Sequence, residues 1–322
     1  MFDNKKLALI LATLVVLLVF VRWIKSDKDV RNFSAELFVL DTTQVHAIKL
    51  YPKAEDQEEI LFTRNAGHWT VSNDGISSHI PADRVQSLLR SVQDIRPERL
   101  AARSEDKWAQ YQVNDSLGTR LILEDASGNE LVDLMIGKFS YRQSAPQANM
   151  MGGRGGISGY TYVRNYDDEA TFVTEGFLTM TFDRDFNSFR DKTLLRSEPD
   201  DIRRIAFQTP DAGAYTLTRS EAKWMIGDQA ADSTAVAQYL NQLRNISGTS
   251  IDGDFQASGQ PDYQVTIAGD NMEDIKVGAY VKEEEFRLQS SLNPSVIIES
   301  DSAGVFSRIF KGPNNFIKAE KE

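Results

Sequence analysis

The side chains best suited to acid-base chemistry in this sequence are carboxylates in three short acidic runs. They stand at residues 167–169 in "YDDEA", at Asp252 and Asp254 in "DGDFQASGQPD", and at residues 283–285 in "KEEEF". A general acid-base pair needs two carboxylates in different environments across a cleft, whereas tight acidic runs are typical of solvated turns. Calcium favours oxygen clusters, but the twelve-residue calcium loop is absent, and "SLNPS" replaces "NYDDE" in the second half. We therefore predict neither a catalytic carboxylate pair nor a metal site.

Histidines, cysteines and glycine loops give no stronger signal for catalysis. His46, His68 and His79 lack a metal-ligand spacing such as H-x-x-x-H, and a Ser-His-Asp triad would have to assemble from distant residues. The chain has no cysteine, which excludes disulfides, a thiolate nucleophile and a zinc knuckle. The segment "GGRGGISG" matches no phosphate-binding fingerprint and no G-x-S-x-G elbow, because Ser158 is followed directly by Gly159. The sequence predicts a protein that is not an enzyme and binds no cofactor.

Residues suited to binding are concentrated in the first half of the chain. A glycine-rich insertion, "SYRQSAPQANMMGGRGGISGY", stands where the second half has only "VKEEE". Long loops in compact domains are functional or disordered, and both alternatives stay open here. Flexible methionines and exposed aromatic rings suit a partner or a glycan. The candidate contacts are Met150, Met151, Arg154, Tyr160, Tyr162, Trp108 and Tyr111.

These residues belong to a sequence that is duplicated. "GHWTVSNDGISSHIPADRVQSLLRSVQDIR" and "AKWMIGDQAADSTAVAQYLNQLRNIS" share a tryptophan (Trp69, Trp224), a polar excursion and an apolar series at helical spacing. Both tryptophans are predicted to pack in the core. Helix starts are predicted at Pro81 and at Asp232 or Ser233. The helical faces consist of Val85, Leu89, Val92 and Ile95 in the first copy, and of Val236, Leu240, Leu243 and Ile246 in the second.

The flanking segments alternate apolar and polar residues, which predicts strands on both sides of each helix. Each copy is expected to contain three strands, a helix and about four more strands, with two of the later strands ending at Gly137 and Gly278. The fold class is therefore α+β, with two tandem, mostly antiparallel units that carry one amphipathic helix each. The predicted repeats span residues 44–180 and 199–312. A connector at 181–198, with Phe182, Phe186 and Phe189 on one helical face, joins them, and a tail follows at 313–322.

The N-terminal segment predicts a membrane anchor. The run from Leu7 to Val21 is uncharged and apolar, and it nearly spans a bilayer if Arg22 snorkels to the interface. The bulky and charged residues that follow favour an uncleaved anchor at 1–24 over a cleaved signal peptide. A juxtamembrane linker at 25–43 would lead into the first strand. Basic residues on both sides leave the orientation open, but the short basic start favours an inner-membrane protein with a periplasmic body.

The net charge of -11 argues against nonspecific binding to nucleic acid.

The chain resembles an uncharacterised family of bacterial envelope proteins, a domain of unknown function. The resemblance rests on the short basic start, the single span and the paired units, which contain "LMIG" (134–137) and "YVR" (162–164) and are joined by "FRDKTLL" (189–195). Members are often encoded beside an ABC transporter of the gliding-motility type. The resemblance covers nearly the whole chain after the anchor and defines no catalytic residues. It implies an accessory role with an ABC-type membrane complex or another envelope protein. The alternative is a glycan- or peptide-binding module that uses a cleft between the copies.

Overall fold

The computed structural model describes residues 37–143, 157–221 and 223–317. Two nine-stranded sheets and one two-stranded sheet dominate it, and their strands pair in antiparallel fashion. The prediction of an α+β, mostly antiparallel, repeated β unit is confirmed. The chain forms two compact units: one runs up to Leu61 and continues in Gln86–Arg184, and the other contains Phe62–Val85 and the chain from Asp185 onward. The predicted repeat boundaries stay predictions.

The first sheet has the strand order β4-β3-β2-β1-β6-β7-β8-β9-β5. Its strands are β1 (Ala47–Tyr51), β2 (Ile60–Asn65), β3 (His68–Asn73), β4 (Ile76–Ile80), β5 (Pro97–Ala102), β6 (Thr119–Glu124), β7 (Glu130–Gln143), β8 (Ile157–Asn165) and β9 (Thr171–Glu175). The accompanying helices are α1 (Ala82–Gln93), α2 (Trp108–Tyr111), α3 (Leu178–Phe182) and α4 (Phe186–Phe189), with short 3-10 turns at Lys53–Glu55 and Glu105–Lys107.

The second sheet repeats this order as β14-β13-β12-β11-β17-β18-β19-β20-β16. Its strands are β11 (Ile202–Thr209), β12 (Gly213–Ser220), β13 (Lys223–Ile226), β14 (Gln229–Ala230), β16 (Ser250–Ile251), β17 (Tyr263–Gly269), β18 (Ile275–Lys282), β19 (Glu285–Ser290) and β20 (Asn293–Ser300). Separately, β10 (Thr193–Arg196) pairs with β15 (Asn245–Ser247). The helices are α5 (Ser233–Gln242), α6 (Val305–Ile309) and a 3-10 turn at Pro313–Phe316.

The predicted helical faces form part of the cores of the two copies. All eight apolar residues assigned to these faces are buried, and so is Trp69, while Trp224 packs against the second core. Asp232 caps α5 as predicted, because its carboxylate accepts hydrogen bonds from the backbone N–H groups of Thr234 (2.8 Å) and Ala235 (3.1 Å). Ile95 and Ile246 are buried beyond the ends of their helices, so the helices are shorter than the apolar series.

Three details of the predicted elements are wrong. Each helix is preceded by four strands and not three, because β4 and β14 are short and lack a clear apolar alternation. Gly137 and Gly278 lie inside β7 and β18 and do not end them. The connector phenylalanines do not share one helix: α3 ends at Phe182, and Asp185 caps the separate helix α4 by accepting a hydrogen bond from Ser188 N (2.6 Å). All three phenylalanines are nevertheless buried.

The two copies also end alike. In the first, α3 is followed by α4, which ends at the buried Phe189; in the second, α6 is followed by the 3-10 turn that ends at the buried Phe316. Phe316 packs edge-on against Tyr239, with 5.2 Å between ring centroids. The duplication therefore extends through the residues at 178–189 and 305–316.

The membrane anchor predicted at 1–24 lies outside the described residues. Among the helices that the structure does describe, none has both the length and the apolar character needed to cross a bilayer.

Candidate functional site

The two copies differ most at the hairpin of β7 and β8. β7 has 14 residues, whereas its counterpart β18 has 8. Met150, Met151 and Arg154, which were predicted as contacts, lie between β7 and β8 and outside the described residues. The described part of the hairpin carries Tyr160 and Tyr162, so the candidate site is built on this element.

Tyr111 and Tyr162 form the centre of the site. Their rings stack with 4.5 Å between centroids and an angle of 21° between planes. The ammonium group of Lys138 lies 5.4 Å from each ring centroid, within cation-π range. Both rings are half-buried, and the hydroxyl of Tyr111 donates to the carbonyl of Ala101 (3.4 Å). The result is a fixed pair of aromatic rings beside one positive charge.

Backbone shape brings the two tyrosines together although 50 residues separate them in sequence. The helix α2 ends at Tyr111, and the next residue, Gln112, caps it in the left-handed conformation with φ of 58°. Its last turn lies against β7 at Gly137, where an added Cβ would collide with the carbonyl oxygen of Tyr111 and lie 2.6 Å from Val113 Cγ1. Only glycine lets the strand pass so close to the helix.

Trp108 stands one turn before Tyr111 on α2 and has a different environment. The guanidinium carbon of Arg164 lies 3.7 Å from the centroid of the Trp108 ring, and the indole Nε1–H donates to the carbonyl of Glu169 (3.0 Å). One face of the ring and its only donor are therefore occupied within the protein. Trp108 is half-buried and held by these contacts beside the tyrosine pair.

Arg164 is almost completely buried, with 2% of its surface exposed. Its Nε donates to the carbonyl of Val113 (3.1 Å), and its Nη1 donates to the carbonyls of Asn165 (3.2 Å), Tyr166 and Asp168 (3.1 Å). Burial lowers the pKa of this guanidinium. Carbonyl dipoles thus compensate the charge and tie α2, β8 and the following turn together.

A second cation belongs to the same region and was missed from the sequence. Arg120 binds Asp133 with both ends of its guanidinium (3.0 and 2.6 Å), and its Cζ lies 3.5 Å from the centroid of Tyr166. The hydrogen bonds that Arg120 donates to the Asp133 carboxylate raise the pKa of Arg120. The signal was available, because the predicted strand-turn-strand of β6 and β7 places opposite charges on adjacent strands.

Tyr160 lies two residues before Tyr162 and therefore on the same face of β8. It is opposite Ser140 of β7 and Glu175 of β9, and it is half-buried. The structure thus brings Tyr111 and Tyr162 into contact, adds Tyr160 on the same strand face, and holds Trp108 beside Arg164.

The acidic loop residue Asp252 is a further departure from the sequence-based expectation of a solvated run. Its side chain is only 8% exposed, and its Oδ2 accepts from Arg287 Nε (2.5 Å) and Lys282 Nζ (3.3 Å). The hydrogen bond from Arg287 lowers the pKa of Asp252 to about 2. Arg287 also binds Glu285 (2.9 Å), so the carboxylates assigned to solvated turns partly form a charge network on the second sheet.

The geometry supports binding by contact. Half-buried tyrosines with a neighbouring lysine can stack on a planar or sugar ring, or can pack against an apolar protein surface. Within the ranges that the structure describes, no three His, Asp or Glu side chains are grouped to hold a metal ion.

Comparison with known proteins identifies the family. No curated protein and no solved structure matches the chain. Residues 69–266, more than half of the chain, match the family described as Domain of unknown function (DUF4340). The match runs from β3 of the first copy into β17 of the second, so the matched region includes parts of both copies. The chain therefore belongs to the DUF4340 family.

Proposed function

We propose that this protein is a non-enzymatic, membrane-anchored component of the cell envelope that serves as an accessory subunit or scaffold of an ABC-type transport complex. The anchor predicted at 1–24 would keep the body at the membrane and raise its effective concentration near such a partner. The body, on the periplasmic side of the inner membrane, would make the contact.

The observation that carries the proposal is the asymmetry between the two copies. Both copies keep the same sheet order, but only the first has the long β7–β8 hairpin with the Tyr111–Tyr162 pair and Lys138. A duplicated scaffold needs only its packing residues to fold, so an elaboration confined to one copy is the natural place for a binding function. Tyrosine is also enriched in protein interfaces, because it combines a large rigid ring with a polar end.

The test is affinity purification of the full-length protein in detergent, followed by mass spectrometry. We expect ABC-type membrane subunits to co-purify with the unaltered chain and to be strongly depleted with the double variant Tyr111→Ala, Tyr162→Ala. The matched control is Tyr280→Ala, which removes a half-buried tyrosine packed against Phe255 in the second copy (5.7 Å between centroids). Recovery of no transporter subunit with the unaltered chain would overturn the proposal.

A second candidate function is binding of a glycan or peptide. It is favoured by the aromatic character of the same face, on which Tyr160 continues the row begun by Tyr162. Titration calorimetry with envelope oligosaccharides and peptides separates the two candidates. Heat that disappears in the Tyr111→Ala, Tyr162→Ala variant, without any co-purified transporter, would favour the ligand-binding function.

A further inference from the structure

The first sheet has one face that lies opposite its core. Thr161 and Val163 of β8 are buried in the core. Tyr160 and Tyr162 alternate with them and therefore point to the other face. Directly opposed residues of antiparallel strands point to the same side, so the register extends this face over β1, β6 and β7. We name it the polar face and define it by Tyr51, Arg120, Met135, Arg164, Tyr162 and Tyr160.

Three cations on the polar face are compensated within the protein. Their partners are Glu124 for Lys49 (2.5 Å), Asp133 for Arg120 (2.6 Å) and four backbone carbonyls for Arg164. Lys138 is half-buried against the rings of Tyr111 and Tyr162, and no carboxylate in the described part of the chain forms an ion pair with it. Its ammonium has lost part of its hydration without gaining an ionic partner. Lys138 is therefore suited to pair with an anion from another molecule.

In the second copy, the corresponding face is neutralised by a carboxylate. Arg287 alternates with the buried Leu288 and so points away from the second core. The segment between β16 and β17 brings in Asp252, whose Oδ2 accepts from Arg287 Nε (2.5 Å) and Lys282 Nζ (3.3 Å). The corresponding segment of the first copy, between β5 and β6, contains α2 and brings the ring of Tyr111. The first copy thus has an aromatic ring where the second has a neutralising carboxylate.

Charges of opposite sign stand at different points along the tyrosines. Lys138 lies beside Tyr162. Arg99 of β5 is exposed and shares the face of Tyr162, because both lie opposite the same residue of β9. Glu175 of β9 is exposed opposite Tyr160. An anionic group is therefore favoured beside Tyr162, and hydroxyl donors are favoured beside Tyr160.

The other groups near Tyr160 are small and hydroxylic. Ser140 of β7 is exposed opposite Tyr160, and Ser158 lies two residues before Tyr160 on β8. The three strands from Ser140 to Glu175 span about 10 Å at their spacing of ~4.8 Å. Tyrosine rings can pack on the apolar side of a sugar ring, while hydroxyls and a carboxylate bond to its hydroxyl groups. The centre of a protein interface, in contrast, is depleted in charged residues.

We propose that the polar face binds an acidic oligosaccharide, and that Lys138 pairs with a carboxylate of its sugar. One ammonium group matches the single charge of a carboxylate, whereas phosphate sites combine several donors such as arginine and backbone N–H groups. Tyr162 and Tyr160 contact the sugar rings, and Glu175 accepts from their hydroxyls. The proposal rests on the glycan-binding candidate of the proposed function and names its ligand class. It does not depend on a transporter contact.

The test is titration calorimetry of the full-length protein in detergent. The probes are oligogalacturonate, which carries carboxylates, its methyl ester of equal length, which is neutral, and an oligoglutamate peptide. The variants are Lys138→Gln, which removes the charge, and Lys138→Arg, which keeps it. The matched control is Lys282→Gln, which removes the charge of a lysine that already has Asp252 as its partner in the second copy.

We expect oligogalacturonate to bind about tenfold more tightly than its methyl ester, the size of one hydrogen bond to a charged group. Lys138→Gln should reduce the affinity for oligogalacturonate to that for the ester and leave the affinity for the ester unchanged, which shows that the face is intact. Lys138→Arg and Lys282→Gln should bind like the unaltered chain. Added salt should weaken the binding of oligogalacturonate and not that of the ester.

Equal affinities for the acid and the ester, or no effect of Lys138→Gln, would overturn the role of Lys138 and leave the glycan-binding candidate in place. No heat with either saccharide would overturn the glycan-binding candidate as well. Binding of oligoglutamate without binding of oligogalacturonate would show that the face takes an acidic protein segment, and the sugar proposal would then be wrong. None of these outcomes bears on whether transporter subunits co-purify.

Discussion

At the scale of single residues, two buried arginines have their charges compensated by different kinds of partner. Arg164 is buried among backbone carbonyls and a tryptophan ring, whereas Arg287 is compensated by the carboxylates of Asp252 and Glu285. A guanidinium can be buried among carbonyls because its five N–H donors lie in one plane. It can donate to several carbonyls at its edge while its flat face packs on an aromatic ring.

Arg164→Lys should therefore destabilise the protein strongly although the charge is kept. One ammonium group cannot reach the four carbonyls, and unsatisfied buried acceptors cost roughly 2–4 kcal/mol in total. Urea unfolding monitored by tryptophan fluorescence measures the change. Arg99→Lys, at an exposed position of β5, is the control and should change stability by less than about 0.5 kcal/mol. Equal midpoints for the two variants would contradict the structural role of Arg164.

The Asp252–Arg287 pair predicts a pH dependence of stability. Because the folded-state pKa of Asp252, about 2, lies below the usual value of 3.8, its contribution is present above pH ~4 and is lost as the pH falls towards 2. The contribution is on the order of 2 kcal/mol. The difference in unfolding free energy between the unaltered chain and Asp252→Asn should shrink over this range. The exposed neighbour Asp254→Asn should show little difference at any pH, and a gap that stays constant for Asp252→Asn would disprove the coupling.

At the scale of elements, the main difference between the two copies is the β7–β8 hairpin of the first copy. The sheets have the same strand order, and each copy closes with a helix, a short turn of helix and a buried phenylalanine. The register of β7 and β8 shifts between Ile136 and Phe139. A bulge at this point moves the following side chains to the other face, which places Phe139 and Tyr141 on the side of Ile136. The bulge therefore decides which face of the hairpin carries Phe139 and Tyr141.

Gly137→Ala tests the bulge directly. The added methyl group would meet the carbonyl of Tyr111 and the side chain of Val113, so either α2 or β7 must move. We expect a loss of about 1–3 kcal/mol in unfolding free energy and weaker contact between Tyr111 and Tyr162, measured by urea unfolding and by near-ultraviolet circular dichroism. Gly253→Ala is the matched control, because nothing lies within 4 Å of its added Cβ. An unchanged aromatic signal in Gly137→Ala would show that the stack does not depend on this close approach.

At the scale of the whole molecule, the acidic body and the predicted apolar anchor have different expected roles. The net charge of -11 makes binding to phosphate polymers unfavourable, while the run from Leu7 to Val21 provides the predicted attachment to the membrane. In the proposed function, the anchor would hold the body at the membrane, and the Tyr111–Tyr162 pair would be available to a membrane partner.

The anchor makes a prediction of its own. The full-length chain should stay with the membrane fraction after an alkaline carbonate wash. Leu14→Arg combined with Leu17→Arg should release it, because each central arginine costs about 2.5–3.5 kcal/mol on insertion. The control is Lys25→Arg, which lies outside the apolar run and keeps the charge. Release of the unaltered chain by the wash would refute the anchor.

The sequence by itself determined the duplication, the buried faces of both long helices, the core position of Trp69 and the α+β class, because local apolar periodicity records which side of an element is buried. Only the tertiary structure decided which distant side chains meet. Tyr111 with Tyr162 and Asp252 with Arg287 are joined by strand register, by a bulge and by a glycine that permits close approach. Those features act between segments far apart in the chain, so no local pattern of residues contains them.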